Sequence, residues 1–488
     1  MKKQWKHGAI TFLMVSSLAG CSMVGPDYKP PKVDLSLQYK AAKGWLVATP
    51  QAAQAKGPWW QVYHDPELSQ LMSKVAVNNQ NVAQYAAQYQ QARSLAVEAG
   101  ANLAPELSAS ASQSRARSSS NVSSSHSLNA SLSWEVDLWG KLRRTRQERQ
   151  ASAQASAAEL ASATLSAQSE LAQDYFQTRV LDAQIKLYRD NIEIYQRYLK
   201  IVNNQYKAGK GSQASVAQAK TQLYSARASM LALTWQRAQL EHAIAVLMGQ
   251  PPATFSLAVK PLDYHLPSIP ASIPASLLQR RPDIANAERN MASANAAIGV
   301  AIAGYYPELS LSASGGFSSG SWKDLLTWPA RMWSIGPSVS ETLFDFGRTK
   351  AQVNQAKANY QAKVANYRQT VLDALKEVED YLSETHILSS EMQAQQQATA
   401  FAKESARVTF NQYRAGMIAY LDAATTQVTS LNQQQNLLTL QKTQLVTSVK
   451  LIAALGGGWS KAAIMRSGST NSLDSAAASA VPNTAPTH

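Results

Sequence analysis

Cysteine is almost absent from this sequence, which has one, Cys21, among 488 residues. A single cysteine excludes a disulfide framework and any zinc or iron–sulfur centre that needs several thiolates. Charged residues make up only 16% of the chain, against about 25% in a typical soluble protein. No uninterrupted apolar run reaches the roughly 18 residues of a membrane-spanning helix. Alanine, glutamine and serine are abundant instead.

Motifs for catalysis and metal binding are also missing. The seven histidines stand at no metal-ligand spacing from one another. Gly209-Lys210-Gly211-Ser212 lacks the upstream glycine and the preceding strand of a phosphate-binding loop. The sequence therefore predicts no enzyme.

The formal charge of +14 has two interpretations. Basic chains often bind nucleic acid, but no run of lysine or arginine here is longer than two residues. We favour a basic surface spread over a long chain and predict no nucleic-acid partner.

The N-terminal segment 1–20 has the pattern of a secretory signal, in which three lysines precede an apolar run from Ile10 to Leu18. Leu-Ala-Gly then precedes Cys21, which resembles a bacterial lipobox; an ordinary secreted protein with a stray cysteine is the alternative. Because the only cysteine stands where the motif requires it, we predict a signal peptide over 1–20 and acyl chains such as palmitate on Cys21. Ser22, in place of aspartate, resembles a sorting signal for the outer membrane.

An internal duplication is visible as landmarks that recur in the same order. Pro-Glu-Leu-Ser at 105–108 recurs at 307–310. The landmarks at 139–141, 204–209 and 248–249 recur at 346–348, 411–416 and 455–456, with one constant offset that is slightly larger. Two repeats of one elongated unit therefore replace the roughly three ordinary domains that the length suggests.

Each repeat contains a long stretch without glycine or proline, and the two stretches, Lys141 to Ala208 and Arg348 to Ala415, are equal in length. As a single helix, such a stretch would be about 100 Å long, which favours coiled-coil-like packing. A shorter helix is predicted after each, at 212–248 and 417–455, so that each repeat holds a helical hairpin with glycine in its turn.

The segments before the long helices alternate apolar and polar residues with period two, which predicts two strands per repeat. The four segments are 107–112, 128–138, 309–313 and 335–343. We predict a polar loop at 113–127 and a tryptophan-containing loop at 315–332 between them. Membrane strands have this alternation over about 9–11 residues; a soluble hairpin on a core is the alternative, disfavoured because the apolar residues carry little bulk.

Four strands cannot close a β-barrel, because known barrels have at least about eight, and an open sheet in lipid leaves unpaired edges. The chain must therefore oligomerise, as two copies with eight strands or three copies with twelve. Trp134, Trp139 and Trp333 are candidates for aromatic residues at the membrane interface.

Five short motifs follow one another along the chain, and the resemblance that they carry extends over nearly the whole mature chain, up to about Trp459. They are Cys21 with Val24-Gly25-Pro26-Asp27-Tyr28, Trp59-Trp60 with Asp65-Pro66, Glu135 to Lys141, Leu277 to Ile284, and Phe344-Asp345-Phe346-Gly347-Arg348. Each is weak alone, but in this order they resemble the TolC-like outer-membrane factors, in particular the efflux lipoproteins of the NodT or OprM type.

The resemblance implies an α+β fold, mainly α, whose homotrimer forms a twelve-stranded outer-membrane β-barrel and a periplasmic α-helical tunnel. It implies a passive exit duct of a tripartite efflux pump, with a periplasmic adaptor protein and an inner-membrane transporter of the RND type, and a role in antibiotic resistance. The alternatives are a duct for type I-like protein secretion and a non-porous periplasmic scaffold. No cofactor is implied apart from the covalent lipid.

The resemblance also makes the turns of the helical hairpins periplasmic tips that contact the adaptor. The predicted contact residues are Lys207, Gly209, Ser212, Arg414 and Gly416. Tyr420, Leu421 and Asp422 begin the last helix and are predicted to line the periplasmic gate, where three Asp422 carboxylates would form a ring. An acidic residue that favours the first turn of its own helix is the alternative.

The predicted domains follow from these assignments. Residues 21–66 form an N-terminal anchor and equatorial segment, and 251–280 form a proline-rich equatorial connector. The two repeats occupy 67–250 and 281–458, and 459–488 form a disordered tail.

Overall fold

The computed structural model describes residues 23–30, 58–118, 121–267 and 280–457. The predicted signal peptide, Cys21 and the predicted tail lie outside these ranges. The described residues divide into two compact units. The first, here called the strand unit, lies within Met1–Val33, Ala87–Ala158 and Ile284–Thr370, and the second, the helix unit, within Asp34–Ala86, Glu159–Asp283 and Val371–His488.

Among the described residues, seven α-helices form most of the structure. They are α1 (Pro66–Asn78), α2 (Gln80–Ala101), α3 (Lys141–Lys207), α4 (Gln213–Leu247), α5 (Pro282–Ala303), α6 (Arg348–Arg414) and α7 (Tyr420–Ala454). Helices α3 and α6 have 67 residues each, and α4 and α7 have 35 each. The two predicted hairpins and the constant offset between them are therefore confirmed.

The described residues form one antiparallel sheet of four strands, which lie side by side in the order of the chain. They are β1 (Glu106–Ser118), β2 (Asn121–Val136), β3 (Glu308–Ser319) and β4 (Arg331–Ser340). The predicted polar loop at 113–127 is wrong, because β1 and β2 continue through most of it. Its serines and arginines are polar on both faces, so the alternation disappears while the backbone pairing continues. The second predicted loop, 315–332, is also shorter than predicted, because β3 continues through Gly315 and Gly316 to Ser319 and β4 begins at Arg331.

The strand register keeps the apolar side chains on one face of the sheet. Leu107 pairs with Leu132, Leu132 with Ala313, and Ala313 with Ile335. Leu107 and Ile335 are about three-quarters exposed, at 73% and 76%. Serines on the opposite face are joined across the strands by hydrogen bonds, namely Ser108 to Ser131, Ser112 to Ser127 and Ser314 to Ser334. An exposed apolar face of this kind marks a surface that something other than water covers.

The main core of the helix unit is an apolar cluster in which α1 packs against α3, α4 and α7. Asp65 begins α1 by accepting hydrogen bonds from the backbone N–H groups of Glu67 and Leu68, at 2.9 and 3.0 Å, as a helix N-cap does. The largest buried members of the cluster include Leu68, Met72, Leu171, Ile244, Met248 and Leu445.

In the described part of the chain, no helix combines the length and the apolar content that crossing a membrane requires.

Candidate functional site

The segment that links β2 to α3 contacts the start of β3. We call this set of contacts the β2–β3 junction. The Trp139 indole N–H donates to the Pro307 carbonyl oxygen at 2.8 Å, and its ring stacks on Tyr306 with centroids 4.7 Å apart. Lys141 Nζ lies 2.8 Å from a carboxylate oxygen of Glu308. The end of β2, the second strand of the first repeat, is thereby joined to the start of β3, the first strand of the second repeat.

The Val24-Gly25-Pro26-Asp27 motif is fixed on the same unit. The buried guanidinium of Arg144 donates to the carbonyl oxygens of Val24 and Gly25, both at 3.1 Å, and to the Asp27 carboxylate at 3.0 Å. Gly25 packs against Gly299 of α5 so closely that a Cβ there would lie 2.5 Å from the Gly299 Cα. A lipid on Cys21, which lies outside the described residues, would be tethered close to this fixed segment. The lipidation itself stays a prediction.

The three tryptophans predicted at the membrane interface lie in the strand unit. Trp134 is partly buried, and its indole N–H donates to the Leu103 carbonyl oxygen at 3.1 Å. Trp139 is likewise partly buried, whereas Trp333 on β4 is 79% exposed. Their depth in a membrane stays a prediction.

The turns of the two helical hairpins, both in the helix unit, have the same backbone geometry. Gly209 and Gly416 have positive φ angles of 68° and 76°. The backbone N–H of the next residue donates to the carbonyl oxygen five residues earlier, at 2.8 Å in the first turn and 3.0 Å in the second, which ends the helix. The predicted adaptor-contacting residues are all exposed or partly exposed, namely Lys207, Gly209, Ser212, Arg414 and Gly416. Their contact with an adaptor stays a prediction.

The two turns differ at the start of the following helix. The Ser212 hydroxyl caps α4 by accepting a hydrogen bond from the Ser215 backbone N–H at 3.1 Å. The equivalent residue before α7 is Ala419, whose side chain offers no cap.

An aromatic cluster packs beneath the turns. The Tyr198 ring stacks on Phe410 with centroids 4.5 Å apart, and the Tyr420 ring meets Tyr198 and Tyr413 edge-on, at 6.4 and 5.7 Å. The Tyr420 hydroxyl is buried with no hydrogen-bond partner among the described residues. Burial raises the pKa of Tyr420 above its ordinary value, which keeps the phenol neutral.

The three predicted gate residues therefore point in different directions within the helix unit. Tyr420 is buried in the aromatic cluster, whereas Leu421 is 55% exposed and Asp422 is exposed in the first turn of α7. Leu421 and Asp422 are thus available to line an opening, and Tyr420 holds the start of α7 against α3 and α6. The gate role stays a prediction.

A buried ion-pair network in the helix unit was missed by the sequence interpretation. The Asp182 carboxylate is 1% exposed and lies 3.0 Å from Arg179 Nη1 and 2.6 Å from Arg237 Nε. Arg179 Nη2 also binds the Glu67 carboxylate at 2.8 Å. The two arginines donate to the carbonyl oxygens of Ala258 and Leu257, so the network joins α1, α3, α4 and the connector.

Arg281, in the Arg-Arg-Pro-Asp motif, makes a second set of charged contacts in the helix unit. It lies 2.7 Å from Glu377 of α6 and 2.6 Å from Asp283, and it donates to the Ala454 carbonyl oxygen at 3.2 Å. The motif therefore fixes the start of α5 against the end of α7. Within the described ranges, no group of three or more histidine, cysteine, aspartate or glutamate side chains is arranged to hold a metal ion.

The chain belongs to the outer membrane efflux protein family, whose model matches residues 71–250 and 273–457. The family consists of channels of efflux systems and not of enzymes, so the prediction that this chain is no enzyme is confirmed. Family membership also confirms the resemblance to TolC-like factors and makes the chain an outer-membrane component of an efflux system.

Named relatives and solved structures agree with this family. The chain is 30% identical over 460 residues to the pyoverdine export outer membrane protein OpmQ of Pseudomonas aeruginosa, covering 91% of this chain and 97% of OpmQ. It is 27% identical to the cation efflux system protein CusC of Escherichia coli, covering 92% and 98%. The structure of the outer-membrane channel OprN matches with a TM-score of 0.81 and 28% identity, covering 89% of this chain and 99% of OprN. The predicted fold class is confirmed.

Proposed function

We propose that three copies of this chain form a passive exit duct for drugs or other toxic small molecules in a tripartite efflux pump. The observation that carries the proposal is a four-stranded sheet with one apolar face and two unpaired edges. A sheet in lipid must have no open edge, and three copies supply twelve strands for a closed barrel. The long helical hairpins would then form the periplasmic tunnel.

The proposed partners are a periplasmic adaptor protein at the exposed tips and an inner-membrane transporter of the RND type that supplies the energy. Lys207, Lys210 and Arg414 are exposed in the turns, which supports an adaptor surface of complementary charge. Cys21 would carry the lipid that anchors each mature chain in the outer membrane.

The names of relatives cover very different substrates, since OpmQ exports pyoverdine, TtgC of Pseudomonas putida belongs to a toluene efflux pump, and CusC to a cation efflux system. A shared architecture with such different substrates supports a duct whose substrates are selected by the inner-membrane partner. A role in antibiotic resistance belongs to this proposal.

Deletion of this chain should lower the inhibitory concentration of at least one class of toxic small molecule severalfold, because the pump loses its exit. Susceptibility tests on the deletion strain, complemented with the full chain, measure the effect. Unchanged susceptibility together with lost protein export would instead support a secretion duct.

Asp422→Ala should increase the conductance of the purified protein in a planar bilayer, because the smaller side chain leaves a wider opening. It should also lower the preference for cations, because the ring of carboxylates that attracts them is lost. The control is Asp190→Ala, which removes an exposed carboxylate paired with Lys186 on α3 and should leave both properties unchanged. Absence of conductance from both variants would support the non-porous scaffold.

A further inference from the structure

In the trimer proposed above, β4 of one copy pairs with β1 of the next, and we propose that a charged and aromatic seam joins these two strands. In this seam Arg348 binds Glu106 of the partner subunit, and Phe346 covers the partner's Ala104 and Pro105. The seam rests on the trimer proposed above, and it specifies which side chains join the copies.

The template for the seam is the β2–β3 junction within one chain. There Lys141 binds Glu308, while Trp139 packs on Tyr306 and bonds to the Pro307 carbonyl oxygen. These contacts join the second strand of the first repeat to the first strand of the second repeat. Closing a ring of identical chains requires the second strand of the second repeat, β4, to meet the first strand of the first repeat, β1, in the same way.

The strand register shows which residues are equivalent. Glu106 pairs with Ser133 in the first repeat, and Glu308 pairs with Ser340 in the second. Glu106 is therefore equivalent to Glu308 on the first strand of each repeat, and Ser133 to Ser340 on the second. The same alignment makes Arg348 equivalent to Lys141, Phe346 to Trp139, and Pro105 to Pro307.

The residues proposed for both sides of the seam are exposed in the single chain. Phe346 is 92% exposed, although its ring contacts that of Phe344 with centroids 4.5 Å apart. Its φ is positive, at 54°, which is uncommon for a residue other than glycine and is not shared by Trp139. Glu106 and Arg348 are both exposed, and neither forms an ion pair with the described residues. The nearby Asp345 carboxylate instead caps the start of α6 by accepting a hydrogen bond from a backbone N–H.

The charge pattern favours an ion pair between Arg348 and a carboxylate of a partner copy over one within the same chain. In the template, Lys141 binds both Glu135 and Glu308. The residue equivalent to Glu135 in the second repeat is Thr342, so Arg348 has no carboxylate at that position. Asp345 of its own chain interacts with Arg348 electrostatically, but its oxygens accept hydrogen bonds at the start of α6. The partner's Glu106 supplies the missing negative charge, and its position follows from the same alignment.

The seam predicts one register for the pairing of β4 with the partner's β1. Ser131 pairs with Ser314 in the template, and the same alignment makes Ser338 equivalent to Ser131 and Ser112 equivalent to Ser314. Ser338 should lie opposite Ser112 of the partner subunit. A variant with Ser338→Cys and Ser112→Cys should form disulfide-linked trimers in the outer membrane upon oxidation. The matched control is Ser338→Cys with Ser108→Cys, in which the second cysteine lies about 13 Å further along the strand.

The predicted pair should give at least about tenfold more cross-linked product than the control pair, because a disulfide requires Cα atoms within about 7 Å. The parent chain, which has Cys21 alone, gives the background. More cross-linking from the control pair, or equal amounts from both, would overturn the seam.

Charge reversal tests the ion pair independently of the cysteines. Arg348→Glu and Glu106→Arg should each lower the detergent-resistant trimer fraction. Each seam should lose about two- to fivefold in its association constant, as expected for an exposed ion pair. The double variant should restore it, which also shows that the reversed chains fold. Arg407→Glu, at an exposed arginine in the helix unit, is the control and should change nothing.

The outcomes separate the seam from the duct. Reversals that leave the trimer unchanged, or a double variant no better than the singles, would overturn the Arg348–Glu106 contact while conductance and drug susceptibility still support the duct. A chain that is monomeric in the outer membrane and conducts no ions would overturn both proposals.

Discussion

Asp182→Asn should destabilise the helix unit by about 3 kcal/mol, the lower end of the range for breaking a buried ion pair. The Asp182 carboxylate is 1% exposed and is shared by Arg179 and Arg237. The amide keeps the size of the side chain but removes the negative charge, so two buried guanidinium groups lose their common partner. Glu67 and Glu241 still bind the two arginines, which limits the loss.

Thermal unfolding of the detergent-purified protein, followed by circular dichroism, measures this effect. The control is Asp190→Asn on the same helix, where the carboxylate is 56% exposed and pairs with Lys186. An exposed pair of this spacing contributes about 0.3–0.5 kcal/mol. Equal shifts in the two variants would show that the network contributes no more than a surface pair.

Gly25→Ala should release the segment 23–30 from the rest of the strand unit, at a cost of about 3 kcal/mol. Gly25 has a positive φ of 89°, and its added Cβ would lie 2.5 Å from the Gly299 Cα. Because the obstacle is backbone on α5, no side-chain rotation removes the clash. The hydrogen bonds from Arg144 to Val24 and Gly25 would be lost with the displacement.

Limited proteolysis of the N-terminal segment in native membranes, with mass analysis, measures the release. The matched control is Gly209→Ala, because Gly209 also has a positive φ, of 68°, but no heavy atom lies within 4 Å of the added Cβ. It should cost only the backbone penalty of about 1 kcal/mol. If both variants resist cleavage like the parent, the close contact between Gly25 and Gly299 does not hold the segment.

The elements governed by local pattern were predictable from the sequence. The absence of glycine and proline from 141 to 208 predicts α3 to within one residue of its end at Lys207. Strict alternation from Leu128 predicts β2, but the pattern stops where serines and arginines occupy both faces. The strands continue there because the backbone hydrogen bonds of a hairpin do not depend on side-chain polarity.

The contacts that join distant segments were not predictable. Glu67, Asp182 and Arg237 are far apart in the chain, and only the i,i+3 spacing of Arg179 and Asp182 gives a local signal. The burial of Tyr420 next to exposed Leu421 and Asp422 likewise depends on how α7 packs against α3 and α6. A periodic pattern indicates which face of a helix is buried, but not which other helix covers it.

The uncapped start of α7 makes its first turn easier to unwind than that of α4. Loss of a serine cap costs about 1 kcal/mol, which corresponds to roughly a fivefold larger unwound population at Ala419 than at Ser212. In a ring of three chains, the capped starts of α4 and the uncapped, labile starts of α7 would alternate around the periplasmic opening. A widening motion would then concentrate in the three labile helix starts, each of which carries Leu421 and Asp422, and leave the other three as a fixed frame.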